Sequence, residues 1–283
     1  MKDRILETIR HIEGPRDGCN AYNRLEECGD FIADCFRSSG FVVEYDLLEF
    51  SGRQYRNIIA TASGLREMED WVMVCAHYDA VPDSPGADDN ASGVAVMLEL
   101  ARQLGPRKGL QLVAFTLEEP QQTGTTFLLG SKHFVKEMKR QGQNYRAVYN
   151  LESVGYVNSE PGSQSLPFFV KAPKTGDFIA VVANAKSHSL IEYFERAAAD
   201  CTPHLEVFPY KVPLNGYILP ESRFSDHAPF WDAGYPAVMV TDTAMLRNPN
   251  YHTTFDKIET LSPDFMSQVA QAMIRTVSDI LKN

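Results

Sequence analysis

The sequence predicts an α/β fold: a three-layer α/β/α domain with a mixed, mostly parallel central sheet flanked by helices. Apolar stretches of strand length alternate along the chain with amphipathic stretches of helical period. The composition is typical of a globular protein, with 44% hydrophobic and 23% charged residues. No internal repeat and no linker rich in Pro, Gly or Ser divides the chain. We therefore expect a single domain over residues 1–283.

The first half of the chain contains the most regular patterns. An amphipathic helix begins the chain, and a second helix ends at Gly40, a natural C-cap. The apolar run 71–76 predicts a central strand, whereas the alternating run 41–50 is typical of an exposed or edge strand. Further strands are predicted at 56–64, 110–119 and 146–153, and further helices at 91–105 and 129–140.

The second half continues the alternation. The last helix is expected to begin with Ser262 as its cap and Pro263 as its first residue. Residues 202–225 are the least regular segment and are interpreted as an active-site loop. Strands are predicted at 177–183, 205–212 and 236–243, and a helix at 189–201.

Charge and composition exclude several classes of function. The 37 acidic and 27 basic residues give a net charge of −10, and no run of Lys and Arg is present, so a nucleic-acid partner is not expected. No apolar run is long enough to span a membrane, and the N-terminus lacks the apolar core of a signal peptide. A cytoplasmic location is expected, although a chain trimmed of a leader would look the same.

The five cysteines have no zinc-finger spacing and are expected to be free, buried thiols.

Polar residues follow the apolar strands in a recurring way. Ligands of open α/β sheets bind beyond the carboxyl ends of the central strands. Taken singly, each of these residues is typical of a strand end, a helix cap or a solvated pair, but together they indicate a cation site. Histidine and carboxylate ligands without cysteine suit Zn²⁺ or its first-row neighbours and leave a position open for water. The residues are His77, Asp79, Asp88, Asp89, Glu118, Glu119, Glu152, Asp242 and His252.

Five motifs in order give the chain a specific resemblance. They are "HYD" with "GADDNASG", "FTLEE", "NLESVGY", "SDHAPFWDAGYPAVMVTDT" and "NPNYHTTFDKIETL", spread over about residues 55–282. Together they resemble the M28 family of zinc aminopeptidases, which are two-metal exopeptidases. The resemblance implies two divalent metal ions, most simply Zn²⁺, and a peptide substrate with a free N-terminus. It leaves the oligomeric state open.

The resemblance also implies a ligand set. His77 and Glu152 match the ligands of one metal, and Glu119 and His252 match those of the other. Asp89 matches the carboxylate that bridges both. Many relatives have Asp at the position of Glu152, whose longer side chain can reach the same coordination.

Three further roles follow from the same resemblance. Glu118 matches the general base, Asp79 is expected to fix the ring of His77 through its far nitrogen, and Tyr251 matches a donor to the oxyanion. The peptide bond Asp89–Asn90 is expected to be cis. Residues 225–227, "SDH", are assigned no ligand role, and the segment 120–134, longer than in the shortest relatives, is expected to reshape the substrate mouth.

The activity implied is hydrolysis of the N-terminal residue from a peptide through a metal-activated water. Three alternatives share the fold: a one-zinc enzyme similar to glutaminyl cyclases, a non-catalytic binding protein, and a dipeptidase or carboxypeptidase of the same family.

Overall fold

An eight-stranded sheet forms the centre of the molecule. The structure is a computed structural model that describes residues 1–64, 70–120, 126–165, 170–171 and 173–282. Within these ranges the strands are β1 (Val42–Phe50), β2 (Arg53–Thr61), β3 (Asp70–His77), β4 (Leu110–Phe115), β5 (Asn144–Glu152), β6 (Phe178–Ala183), β7 (Glu206–Lys211) and β8 (Ala237–Thr241). The helices are α1 (Lys2–Ile12), α2 (Tyr22–Ser38), α3 (Gly93–Leu104), α4 (Leu129–Arg140), α5 (His188–Cys201), α6 (His227–Ala233) and α7 (Pro263–Lys282).

The sheet is mixed, with a parallel centre. Its strand order is β1-β2-β4-β3-β5-β8-β6-β7. Strands β4, β3, β5 and β8 run parallel to one another, whereas β2 pairs with β4, and β6 with β8, in antiparallel fashion. The parallel centre brings the carboxyl ends of β3, β4, β5 and β8 to one edge, where α/β proteins bind their ligands.

Side chains on alternate positions of the central strands enter two separate cores. Val72 and Val74 of β3 pack into the core that also contains residues of α1, α2, α3, α5 and α7. Met73 and Cys75, on the opposite face, pack with residues of α4 and α6. This alternation is the period-two pattern of a strand covered on both sides, and it confirms the predicted three layers.

Most predicted elements match the observed ones. The run 71–76 lies in β3 near the centre of the sheet, and all but the first residue of the run 41–50 form β1 at its edge. The predicted helix 129–140 coincides with α4. For α6 the sequence indicated only a loop and a helix start at residues 225–227, because its seven residues make only two turns and include Pro229.

Two whole-chain expectations can be compared with the structure. Within the described ranges, no helix combines the length and the apolar character needed to cross a membrane. All five cysteines are free thiols as expected, but only Cys28 and Cys75 are fully buried, and the other three are partly exposed.

Candidate metal centre

Three neighbouring strands deliver most of the polar cluster. His77 is the last residue of β3, Glu152 is the last residue of β5, and Glu118 and Glu119 follow the end of β4. His252 comes from the loop between β8 and α7. Since β3 pairs in parallel with both β4 and β5, their ends meet at one edge of the sheet. The structure thus brings together residues that are up to 175 positions apart in sequence.

His77 lies at the centre of the first group of atoms. Its Nε2 atom is 3.2 Å from Asp89 Oδ1, 3.5 Å from Glu152 Oε2 and 3.9 Å from Glu118 Oε2. The imidazole is completely buried. Its other nitrogen, Nδ1, lies 3.4 Å from Asp79 Oδ1, the neighbour that the sequence predicts for it.

His252 lies at the centre of the second group. Its Nε2 atom is 3.1 Å from Asp89 Oδ2 and 3.3 Å from Glu119 Oε1. Asp89 therefore directs one carboxylate oxygen toward each histidine. This is the arrangement expected of a carboxylate that bridges two cations.

The separations suit zinc. Ligand atoms placed tetrahedrally at about 2.0–2.2 Å from one Zn²⁺ lie about 3.3–3.6 Å from one another. The contacts of both histidines with their carboxylates, 3.1–3.5 Å, are close to this spacing. His77 Nε2 and Asp89 Oδ2 are buried and form no hydrogen bond within the described part of the chain. Buried atoms of this kind require a cation or a proton, so the residues present fit a divalent metal.

Asp79 has a second contact that the sequence did not suggest. Its Oδ1 accepts the backbone N–H of Glu118 and its Oδ2 accepts that of Glu119, each at 3.1 Å. One carboxylate therefore contacts His77 and also fixes the backbone of both glutamates.

Asp256 fixes the backbone of the loop that carries Asp89, as Asp79 fixes the backbone of the two glutamates. Its two oxygens accept the backbone N–H groups of Asp88 at 2.9 Å and Asp89 at 3.1 Å. Nothing in the sequence singled out Asp256 beyond its place in the last motif. Asp256 lies 168 positions from Asp88 in the sequence, so only the fold reveals the contact.

Asp88 and Asn90, the sequence neighbours of Asp89, form hydrogen bonds that hold the loop in place. The Asp89–Asn90 peptide bond is cis, as expected. Asn90 Nδ2 donates to Leu151 O at 2.7 Å, which ties the loop to the end of β5. Asp88 turns away from the histidines and accepts Gly155 N–H and Asn248 Nδ2–H.

Asp242, a predicted site residue, and Ser225, which was assigned no role, both have partners near the site. Asp242 accepts the backbone N–H groups of Tyr156 and Ala244, both at 2.8 Å, so its oxygens join the loop after β5 to the loop after β8. In the segment "SDH", Ser225 donates its Oγ–H to Glu152 Oε2 at 2.5 Å. That segment therefore supports a predicted ligand, which its sequence did not indicate.

Burial and ionic contacts act in opposite directions on this cluster. Burial, reinforced by the charge of Asp89, raises the pKa of Glu119 to about 8. Burial alone lowers the pKa of His252, but its contacts with Asp89 and Glu119 outweigh burial and raise that pKa to about 10. Without a cation the cluster therefore retains protons at neutral pH, and binding a metal must release them.

We expect the metal-free protein to lose stability as the pH rises from 4.5 to about 8. In this window folded Glu119 keeps its proton while the unfolded carboxyl has lost it, so the folded state binds more protons and is favoured at the low end. The raised pKa of His252 acts in the same direction from 6.5 to about 10. Melting temperatures measured with a chelator present should fall across the range.

The variant Glu119→Gln provides the control, because an amide does not titrate and should flatten this fall. A melting temperature of the metal-free wild type that rises with pH over the same range would contradict the expectation.

An apolar pocket opens next to the cluster. Its walls come from one face of β6, β7 and β8 and from three loops, and Glu152 and Tyr251 form its boundary with the polar cluster. Four residues of the segment interpreted as an active-site loop also line it: Leu219, Glu221, Ser222 and Phe224. The apolar lining includes Phe178, Ala180, Val182, Phe208, Tyr210, Leu219 and Met239. Residues 121–125, in the longer segment expected to reshape the mouth, lie outside the described residues.

Tyr251 stands between the pocket and the second histidine. Its ring stacks on that of His252 with centroids 3.8 Å apart and planes at 15°. Burial, together with the surrounding carboxylates, raises the pKa of Tyr251 far above its ordinary value. The phenol therefore keeps its proton at neutral pH and can act as a hydrogen-bond donor.

The sequence is similar to those of known peptidases. The family described as "Peptidase family M28" matches residues 57–277. The chain is 35% identical over 292 residues to the uncharacterized protein YfbL of Escherichia coli K12, covering 96% of this chain and 86% of YfbL. It is 30% identical over 294 residues to aminopeptidase YwaD of Bacillus subtilis, covering 99% of this chain but only 56% of YwaD.

Solved structures share the fold at lower identity. The LapA aminopeptidase of Legionella pneumophila superposes with a TM-score of 0.76 at 17% identity, over 100% of this chain and 72% of LapA. The glutaminyl cyclase of Porphyromonas gingivalis superposes with a TM-score of 0.75 at 23% identity, over 99% of this chain and 98% of the cyclase. At these identities the likeness shows the three-layer fold, and the choice between the two chemistries depends on the site.

Proposed function

Since the chain belongs to peptidase family M28, we propose that it is an aminopeptidase that uses two divalent cations, most simply Zn²⁺, to release N-terminal residues from peptides. His77 and Glu152 would hold one ion, Glu119 and His252 the other, and Asp89 both. The observation that carries the proposal is the position of Asp89, whose two oxygens lie 3.2 Å and 3.1 Å from the Nε2 atoms of two histidines.

The chain's own residues supply the proton transfers. When bound, a pair of divalent cations lowers the pKa of a shared water and stabilises negative charge on the substrate carbonyl oxygen. Glu118 would accept a proton from the attacking water and return it to the leaving amine as the C–N bond breaks. Burial raises the pKa of Glu118 well above its ordinary value, which suits a group that must both take and give a proton.

Two neighbours would position the substrate. Tyr251 retains its proton, so it can donate a hydrogen bond to the oxygen that gains negative charge. Glu152 is at the junction of cluster and pocket, where a carboxylate can pair with the positively charged α-amine of the first residue. This pairing would restrict cleavage to the N-terminal peptide bond.

The competing activity is that of a glutaminyl cyclase, which cyclises an N-terminal glutamine without adding water. The presence of a second histidine with its own carboxylates favours the two-metal hydrolase. A one-zinc enzyme would use only one of the two groups, so either His77 with Glu152 or His252 with Glu119 would have no ligand role.

The proposal is tested with the zinc-loaded protein and one peptide in two forms, with a free and with an acetylated N-terminus. We expect two zinc ions per chain and release of the first residue from the free peptide only. Equal cleavage of both forms, or cyclisation of an N-terminal glutamine in place of hydrolysis, would refute an aminopeptidase.

The apolar pocket supports a preference for large apolar first residues. Truncating Tyr210, which stacks on Phe208 at a centroid distance of 6.2 Å, should remove part of its wall. We expect Tyr210→Ala to lower kcat/KM for a leucyl substrate about tenfold relative to an alanyl substrate, because lost apolar contact weakens only the larger side chain.

Tyr193→Ala is the matched control, since this tyrosine of α5 is also partly exposed but does not line the pocket. It should leave the leucyl-to-alanyl ratio unchanged. An unchanged ratio in Tyr210→Ala would mean that the first residue binds elsewhere.

A further inference from the structure

Arg16 is a fully buried arginine in the segment between α1 and α2. An arginine cannot discard its charge by deprotonation, so once it is removed from water its N–H groups need acceptors inside the protein. Four hydrogen bonds from Arg16 are found in the described part of the chain, and all four end on backbone carbonyl oxygens. A buried guanidinium that donates only to carbonyl oxygens fixes the conformation of the backbone segments that carry those oxygens.

Those carbonyls belong mainly to the loop that follows β3. Nε donates to Tyr78 O at 2.8 Å, Nη1 to Pro85 O at 2.5 Å and Nη2 to Gly86 O at 2.7 Å. Tyr78 directly follows His77, and Gly86 is three residues before Asp89. The guanidinium of Arg16 therefore joins the two ends of the loop between His77, a proposed ligand of one metal, and Asp89, the proposed bridging ligand.

The packing around the guanidinium leaves the loop little freedom. Gly86 has φ +60°, and a Cβ atom placed there would lie 2.7 Å from Arg16 Nη2 and 2.5 Å from Asp89 O. Gly14 N–H donates to Pro85 O at 2.9 Å, which adds a backbone bond between the two segments. A side chain at position 86 is thus excluded by the contacts that hold the loop.

The same N-terminal segment reaches the other loop of the site. Glu13 Oε2 accepts the backbone N–H of Ile258 at 3.0 Å, two residues after Asp256. Asp256 in turn accepts the N–H groups of Asp88 and Asp89. Residues 13–16 therefore contact both the loop after β3, which carries Asp89, and the loop that contains Asp256.

We propose that Arg16 is a positioning residue for the metal centre, holding His77 and Asp89 at the separation that two cations require. The inference rests on the proposed metal-dependent function. It adds a residue that lies outside the stretch 57–277 matched by the family. Burial disfavours the charge of Arg16, and the nearby acidic residues Asp256, Asp79 and Asp89 favour it electrostatically.

The test is the zinc affinity of metal-free protein, measured by competition with a chelator of known affinity. Arg16→Met keeps the bulk of the side chain but removes its charge and donors, and we expect zinc affinity to fall about 10- to 100-fold. Arg16→Lys keeps the charge but loses the planar fork, and we expect a smaller loss. Excess zinc should restore part of the activity that Arg16→Met lacks at limiting zinc.

Val277→Ala controls for lost stability, because Val277 is a fully buried residue of α7 in the core. It should lower the melting temperature without changing zinc affinity. Unchanged affinity in a folded Arg16→Met overturns the inference, and if that variant does not fold, unchanged affinity in Arg16→Lys does so. A wild type that binds no zinc would refute the proposed function itself.

Discussion

Replacing Glu118 by glutamine should lower kcat about 10³- to 10⁴-fold while the protein still binds two zinc ions. General acid–base catalysis by one side chain contributes about 10²- to 10⁴-fold, and here the same group would serve both proton transfers. The amide has nearly the same shape as the carboxylate, so the buried site should not collapse. Steady-state kinetics and metal analysis on one preparation measure both quantities.

The metal content decides between two roles for Glu118. Its Oε2 atom is 3.9 Å from His77 Nε2, and with His77 and Glu152 it could also form a three-ligand group. Loss of zinc from Glu118→Gln would make Glu118 a ligand and contradict its role as base. Glu119→Gln is the matched control one residue away, and there we expect zinc to be lost.

The polar cluster could be predicted from the sequence because its members occupy equivalent positions. His77, Glu118 and Glu152 each lie at or just beyond the end of an apolar run, and runs of that kind become central parallel strands. Parallel strands end at the same edge of a sheet, and the side chains at their ends meet here because β4, β3 and β5 are neighbours. The family motifs then suggested which of these acids are ligands.

The residues that support the cluster could not be predicted in the same way. Asp256 reaches Asp88 across 168 positions and Ser225 reaches Glu152 across 73. Such contacts depend on the paths of loops, which leave no periodic pattern in the sequence. The burial of Arg16 could not be predicted from the sequence either, because a single arginine after a helix is usually exposed.

The pocket depends on strand order, which local patterns do not specify. The neighbouring strands β8, β6 and β7 form part of its wall. Strand β6 lies between β8 and β7, although β8 is the last strand in sequence. The antiparallel pairing of β6 with β8 places Val182 beside Met239 on one face. Hydrophobic runs predicted that these strands exist, but not that they are neighbours. The proposed preference for an apolar first residue therefore could not be derived from the sequence alone.

Removing the metal should abolish activity and lower the melting temperature together. Without cations, the carboxylates around Asp89 either repel one another or must take up protons, and both cost stability. Zinc at about 1,000 times its dissociation constant would stabilise the folded state by about 4 kcal/mol. For a chain of 283 residues, whose unfolding entropy is about 2.1 cal/mol/K per residue, that corresponds to roughly 7 °C. Activity assays and thermal unfolding with and without a chelator measure the two effects, and added zinc should reverse both.

Two variants separate metal binding from chemistry in this experiment. Glu118→Gln should show the full chelator-dependent shift in melting temperature although it is inactive, because its ligands are intact. His252→Ala should show a much smaller shift, since it removes the nitrogen that lies 3.1 Å from Asp89 Oδ2 and 3.3 Å from Glu119 Oε1. If the chelated wild type keeps full activity, the two histidines do not hold catalytic metals, whatever their distances from the carboxylates.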